Sequence, residues 1–290
     1  MCQSIANGLV SASWIALVAL GFGLIYGPAR FFHFAHGVVF TLAPYLSFLF
    51  AVRLGLPVPI SFLMAVGLST ATGCMMEIGV YRPLRHRGAS PLTLLVASLG
   101  LYVMGQNTIS LIFGKGSKTL GLGIHEGINV LGVRITPVQL VIVLVSLTAM
   151  GFSVLLIKKA KFGKAIRAVA NDRVLATVSG IDGDRVILWS FAIGSALAAV
   201  AGILVALDVD MAPTMGLNAV VMGVVAFIIG GTSRIRGIAL GALLVGMVQH
   251  VGVLVIGSQW QDAVVFIMLF AFLLVRPEGF LGRKIRKATV

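Results

Sequence analysis

The chain has 290 residues, of which 59% are apolar and 11% charged, with a mean hydropathy of +1.06; a soluble globular domain is usually about 45–50% apolar. The net charge of +13 would suit a nucleic-acid binder, but the basic residues lie in short stretches between long apolar runs, which excludes that class. Those runs are continuously apolar rather than alternating, which excludes a closed β-barrel and leaves an all-α, polytopic integral membrane bundle.

Nine apolar segments follow one another at about 5–27, 31–52, 58–80, 91–113, 137–157, 185–207, 217–231, 237–256 and 262–275. A helix needs ~20 residues to cross ~30 Å of hydrocarbon. Segments 217–231 and 262–275 are short, so tilted, re-entrant and buried placements stay open for them. Residues Met1–Leu9 lack the basic region and cleavage pattern of a signal peptide, so the first segment is expected to stay. Cys2 and Cys74 predict neither a disulfide nor a metal cluster.

His33 and His36 stand three apart at the edge of the second segment, close enough to share a helix face. No Cys, Asp or Glu stands nearby, so interfacial packing is expected rather than metal. Glu77, near the end of the third segment, is expected to pair with Arg82 or Arg85. The stretch Gly114–Thr119 ends in Lys-Thr like a phosphate loop, but it lacks the required glycines at Ile112 and Ser117, so no nucleotide site is predicted. The long Gly-rich connection from Gly114 to Pro137 carries His125 and Glu126 and reads as a solvated cap, a cover over a pathway mouth or a contact for an external partner.

The later segments hold small residues at four-residue spacing, Gly194, Ala198 and Gly202, then Gly237 and Gly241, a pattern that lets helix backbones approach closely. Further polar points within the apolar segments include Gln106, Asn107, Asn218, Gln249 and His250, with Asp262 at the end of the ninth. Gln249, His250, Gln106 and Asn218 are the candidates for lining or gating a pathway; interhelical hydrogen bonding is the alternative. No nucleophile with its base and no carboxylate pair occurs within a segment, so no enzymatic activity is expected.

Between the fifth and sixth segments, residues 158–185 hold ten of the thirty-one Lys, Arg, Asp and Glu residues. After Gly163 the spacing of Ile166, Val169, Ala170, Val174 and Val178 predicts one amphipathic helix with its basic side chains on the other face. Such a helix must rest on the membrane surface or on a partner protein. With the N-terminus outside and nine crossings, 18 of the 22 Lys and Arg residues fall on the cytoplasmic side, leaving Arg53, Lys115, Lys118 and Arg134 outside. The C-terminus is then cytoplasmic.

Five stretches resemble one family from end to end. They are Tyr26-Gly27 with His33-Phe34-Ala35-His36-Gly37, Tyr81-Arg82-Pro83-Leu84-Arg85, Phe162-Gly163-Lys164-Ala165-Ile166-Arg167-Ala168, Gly230-Gly231-Thr232-Ser233, and Arg276-Pro277-Glu278-Gly279-Phe280-Leu281-Gly282. In that order they are similar to the permease subunits of bacterial ABC importers for branched-chain amino acids, the LivH-like family. The resemblance implies a single transmembrane permease domain over 1–290 in the inner membrane. It implies a second permease subunit, two cytosolic ATPase subunits carrying ATP and magnesium, and a periplasmic solute-binding protein as partners, with no cofactor in this chain. It also implies that 158–185 is a cytoplasmic coupling loop that docks on the ATPase through Phe162, Gly163, Lys164, Arg167 and Asp172. Similar permeases carry Lys in place of Met222 and Glu in place of Gln249. A stand-alone channel or facilitator for a small solute such as urea or an amide, with a basic loop on anionic lipid, is the competing reading.

Overall fold

Three of the long helices start at a capping side chain, Ser90, Thr136 or Asp182. The computed structural model describes residues 1–120, 127–130, 133–231, 235–276 and 279–280. Helix α1 (Cys2–Ala29) ends with Arg30 in the left-handed conformation, φ 59°. Helix α2 (His36–Phe48) runs on through a π turn at Leu49–Arg53. Helix α3 (Val58–Met76) continues through a π turn at Glu77–Tyr81 into the short α4 (Arg82–His86). Helix α5 (Pro91–Phe113) is capped by Ser90 and stopped at Gly114, φ 90°. A short hairpin of β1 (Ile128–Val130) and β2 (Val133–Ile135) leads to α6 (Pro137–Lys159). There Thr136 and Gln139 cap each other's backbone, and Pro137 occupies a first-turn position that needs no N–H donor.

After α6 the chain makes two helices, α7 (Lys161–Asn171) and α8 (Arg173–Val178), rather than the one expected after Gly163. Asp172 is extended, φ −149°, and its carboxylate accepts from the Leu175 N–H at 3.0 Å, so it ends one helix and caps the next. Gly163 lies inside the first turn of α7. The bundle closes with α9 (Gly183–Asp208), α10 (Met215–Gly230), α11 (Ile235–Ile256) and α12 (Gln261–Val275). All nine apolar segments are therefore helical.

Eight helices among the described residues are long and apolar enough to cross a membrane: Cys2–Ala29, His36–Arg53, Val58–His86, Pro91–Phe113, Pro137–Lys159, Gly183–Asp208, Arg236–Leu254 and Ser258–Val275. The ninth, α10, is shorter. It starts from a link in which Met211 and Pro213 are buried, and Gly216 backs directly onto Gly37 of α2. The short seventh segment is thus a helix enclosed by the bundle.

Helices α1 and α9 form the centre. Helix α1 packs on α6, α9, α10 and α11, and α9 also packs on α2 and α3. Small residues make these crossings possible. Gly21 faces Gly194, Gly8 faces Gly246, Gly202 lies on the Phe40 backbone, and Gly241 lies on the Ala226 carbonyl. The stripe of Gly194, Ala198 and Gly202 is the packing seam it was expected to be. Around this centre, α3, α5, α6 and α12 turn exposed apolar rows outward, such as Leu63, Val96, Leu144 and Phe270. A surface of this kind belongs in lipid or against another membrane subunit.

Two ends can be distinguished. At the basic end Arg30 donates to the Ala170 carbonyl, joining the end of α1 to α7, and the Phe280 N–H donates to Ile229 at 2.8 Å. At the opposite end Gln3 bonds both ways with the Arg134 backbone of β2, and Lys118 and Met211 exchange backbone hydrogen bonds. His125, Glu126, Thr232, Ser233, Pro277, Glu278, Leu281 and Gly282 lie outside the described residues.

Candidate functional site

The segment between α6 and α9 is held to the bundle by one face. Ile166, Val169, Ala176 and Val186 are buried together, with Phe162, Ala165, Ala168 and Ile181 packed around them. The Phe162 ring stands edge-on to Trp189 of α9, with centroids 5.9 Å apart. Gly163 touches the Ile157 backbone so closely that no side chain would fit, and Arg167 donates to the Ile157 carbonyl. Of the five residues expected to meet an ATPase, Phe162, Gly163 and Arg167 therefore secure the segment to α6 and α9, and Asp172 caps α8. Lys164 is exposed on α7.

What the segment turns outward is different. Val174, Leu175 and Val178 on α8 are 75%, 63% and 81% exposed. Periodicity assigned Val174 and Val178 to the inward face of one long helix. The break at Asp172 rotates them outward and brings Ala176 inward instead. These three exposed aliphatic side chains follow the exposed Arg173 on α8, and Lys164 is exposed on the preceding α7, in a part of the chain outside the candidate spans. Isolated exposed apolar residues are ordinary, but a clustered set bordered by charge marks a contact surface.

Behind this surface lies an ionic cluster. Glu77 accepts from both terminal nitrogens of Arg85, one at 2.9 Å, and its side chain is 1% exposed. Of the two partners expected for Glu77, Arg85 is the one it has. Arg85 also reaches Asp184 at the start of α9, which is met in addition by Arg82, His86 and Arg173.

His33 and His36 are fully buried, with ring centroids 5.8 Å apart. His33 Nδ1 shares a 3.0 Å hydrogen bond with the Tyr81 hydroxyl. Burial, with His36 beside it, holds the His33 imidazole well below its ordinary pKa. Among the described residues no group of three or more His, Cys, Asp or Glu side chains could hold a metal ion.

The pathway candidates divide. Asn218 of α10 and Gln249 of α11 both donate to Asp262 of α12, at 3.2 and 3.5 Å. Three helices thus meet on one carboxylate, which spacing alone did not bring together. His250 instead shares a 2.7 Å hydrogen bond with Ser11 of α1. Gln106 lies on α5, which packs on α2, and takes no part in either group. Met222 is buried in the apolar core.

A bundle with eight candidate spans among the described residues, glycine-seamed at its centre and carrying a basic two-helix segment between two of the spans, defines the class of multi-pass helical membrane proteins. The family described as "Branched-chain amino acid transport system / permease component" matches residues 4–273, and the chain belongs to it. It is 33% identical to the high-affinity branched-chain amino acid transport system permease protein BraD of Pseudomonas aeruginosa, over 97% of this chain and 95% of that one. Identity and coverage are the same for LivH of Escherichia coli K12, which bears the corresponding name. The ribose import permease protein RbsC of Bacillus subtilis is 27% identical over 59% of this chain and 56% of its own.

Proposed function

We propose that this chain is the non-catalytic permease subunit of an ATP-driven importer for a branched-chain amino acid or a closely related small amphipathic solute. The observation that carries the coupling half of this reading is the α7–α8 segment. It is anchored on the bundle by its inner face and presents Val174, Leu175 and Val178 to the outside, in a segment that also exposes Lys161, Lys164 and Arg173. A cytosolic ATPase subunit with an apolar groove and acidic margins is its complement, and ATP and magnesium reside there. The basic end then faces the cytoplasm and the N-terminus the outside, in keeping with the 18-to-4 distribution of Lys and Arg. The exposed apolar rows of the outer helices receive lipid and a second permease. A periplasmic binding protein delivers the solute to the opposite end, near Asn218, Gln249 and Asp262. The substrate class rests on the names that the relatives carry.

The test is co-purification followed by reconstitution with the co-purified ATPase subunits. Uptake of leucine, isoleucine or valine should require ATP inside the proteoliposomes, and changing Val174, Leu175 and Val178 together to Asp should release the ATPase. Retention of the ATPase by that variant overturns the docking surface. Solute uptake by the chain alone without ATP replaces the importer with a facilitator.

A further inference from the structure

Asp184 stands at the start of α9, where basic side chains from two other parts of the chain converge on it. Arg173 of α8 donates to Oδ1 at 3.0 Å and Arg85 to the same oxygen at 3.4 Å. On the other oxygen, His86 Nε2 lies at 2.8 Å and Arg82 Nε at 3.6 Å. The carboxylate's side chain is only 14% exposed. Arg85 carries the connection inward, because its guanidinium is shared with Glu77. Glu77 opens the π turn Glu77–Tyr81 that interrupts the third span, and Tyr81 at the end of that turn is bonded to His33 in the link between the first two spans. A continuous polar chain thus runs from α8 through Asp184, Arg85 and Glu77 into the third span.

Helix α8 has little else to hold it. Ala176 is its one buried residue, Val174, Leu175 and Val178 face away, and Arg173–Asp184 is its one ion pair among the described residues. Without the carboxylate, Arg82 and Arg173 would face one another beside the Arg85–Glu77 pair, with no opposite charge left to hold α8 against α4. The third span is built to respond, since a π turn has a looser hydrogen-bond ladder than the helix on either side and recurs at functional sites.

We propose that Asp184 is a positioning residue that passes displacement of the α7–α8 segment to the third span, which yields at its π turn. This rests on the reading of α7–α8 as the ATPase contact. Two measurements test it. In the first, the permease alone carries spin labels at Thr177→Cys and Arg87→Cys in a Cys2→Ser/Cys74→Ser background. The label–label distance distribution should be narrow, should broaden in Asp184→Asn and in Arg173→Gln, and should stay narrow in Asp184→Glu. An unchanged distribution in Asp184→Asn overturns the proposal. In the second, the assembled importer is assayed for uptake and ATP hydrolysis together. Asp184→Asn should keep hydrolysis within about twofold while uptake falls about tenfold or more, with Asp184→Glu restoring the ratio. Equal loss of both, matched by loss of assembled protein, overturns it in favour of a purely structural cluster. A wild-type permease that binds no ATPase defeats the docking reading instead, and the label distances still decide whether Asp184 holds α8 in place.

Discussion

Gly21 of α1 and Gly194 of α9 face each other so closely that neither can carry a side chain. A methyl group on Gly21 would lie 2.7 Å from the Gly194 carbonyl oxygen, and one on Gly194 would lie 2.6 Å from that of Gly21. In each case the obstacle is backbone, which cannot rotate away. The central crossing of the bundle is set by this contact.

Replacing Gly194 by Leu should therefore separate the two central helices. The cost expected for overpacking is about 1–3 kcal/mol or more. A lowered melting temperature in detergent checks it. The control is Gly67→Leu, where nothing lies within 4 Å of the added carbon. Equal melting of the two variants would mean that the crossing tolerates a wider spacing.

Arg85→Gln strips the buried Glu77 of the guanidinium that neutralises it. Breaking one side of a buried pair costs about 3–5 kcal/mol. The double variant Glu77→Gln/Arg85→Gln should recover much of that, because no uncompensated charge remains. Melting temperatures of the two singles and the double form a cycle. Simple additivity would show the pair to be energetically independent.

Asp262→Ala removes the acceptor that Asn218 and Gln249 share. Asn218 and Asp262 are exposed, so water replaces most of what is lost and the expected cost is about 1 kcal/mol. Hydrogen exchange should quicken where α12 meets α10 and α11, and an unchanged exchange map would show that the three helices do not depend on this carboxylate.

Ile166→Asp places a charge in the apolar seam under α7. Burying it unpaired is unfavourable enough to lift the helix from the bundle rather than be accommodated. Limited trypsin digestion should then cut after Lys161, Lys164 and Arg167 well before it does in the wild type. Equal cleavage rates would mean that α7 is held by Arg167 and Phe162 alone.

The spans were legible because hydropathy is a local property, and all nine apolar segments are helices with ends displaced by only a few residues. The glycine stripe was legible for the same reason. The break between α7 and α8 was not, because apolar spacing runs on unbroken through Val174 and Val178. The signal that was passed over is Asp172, an N-cap residue type followed three positions later by the N–H it accepts. The meeting of Asn218 and Gln249 at Asp262 was half legible, since each polar point stood out but nothing in the spacing joined them. The cluster on Asp184 could not be read at all. It joins Arg85 to a carboxylate ninety-nine positions away, and only the packing of α4 against the start of α9 brings them together.

Helix α10 has 16 residues and covers about 24 Å, against a hydrocarbon layer of about 30 Å. Its first turn begins behind the buried link at Met211 and Pro213, so the shortfall falls at one end. Over that stretch the insulating slab is replaced by irregular backbone with carbonyls and amides of its own. The buried link, with Met211 paired through its backbone to Lys118, completes the end that α10 leaves open and satisfies its own polar groups within the protein.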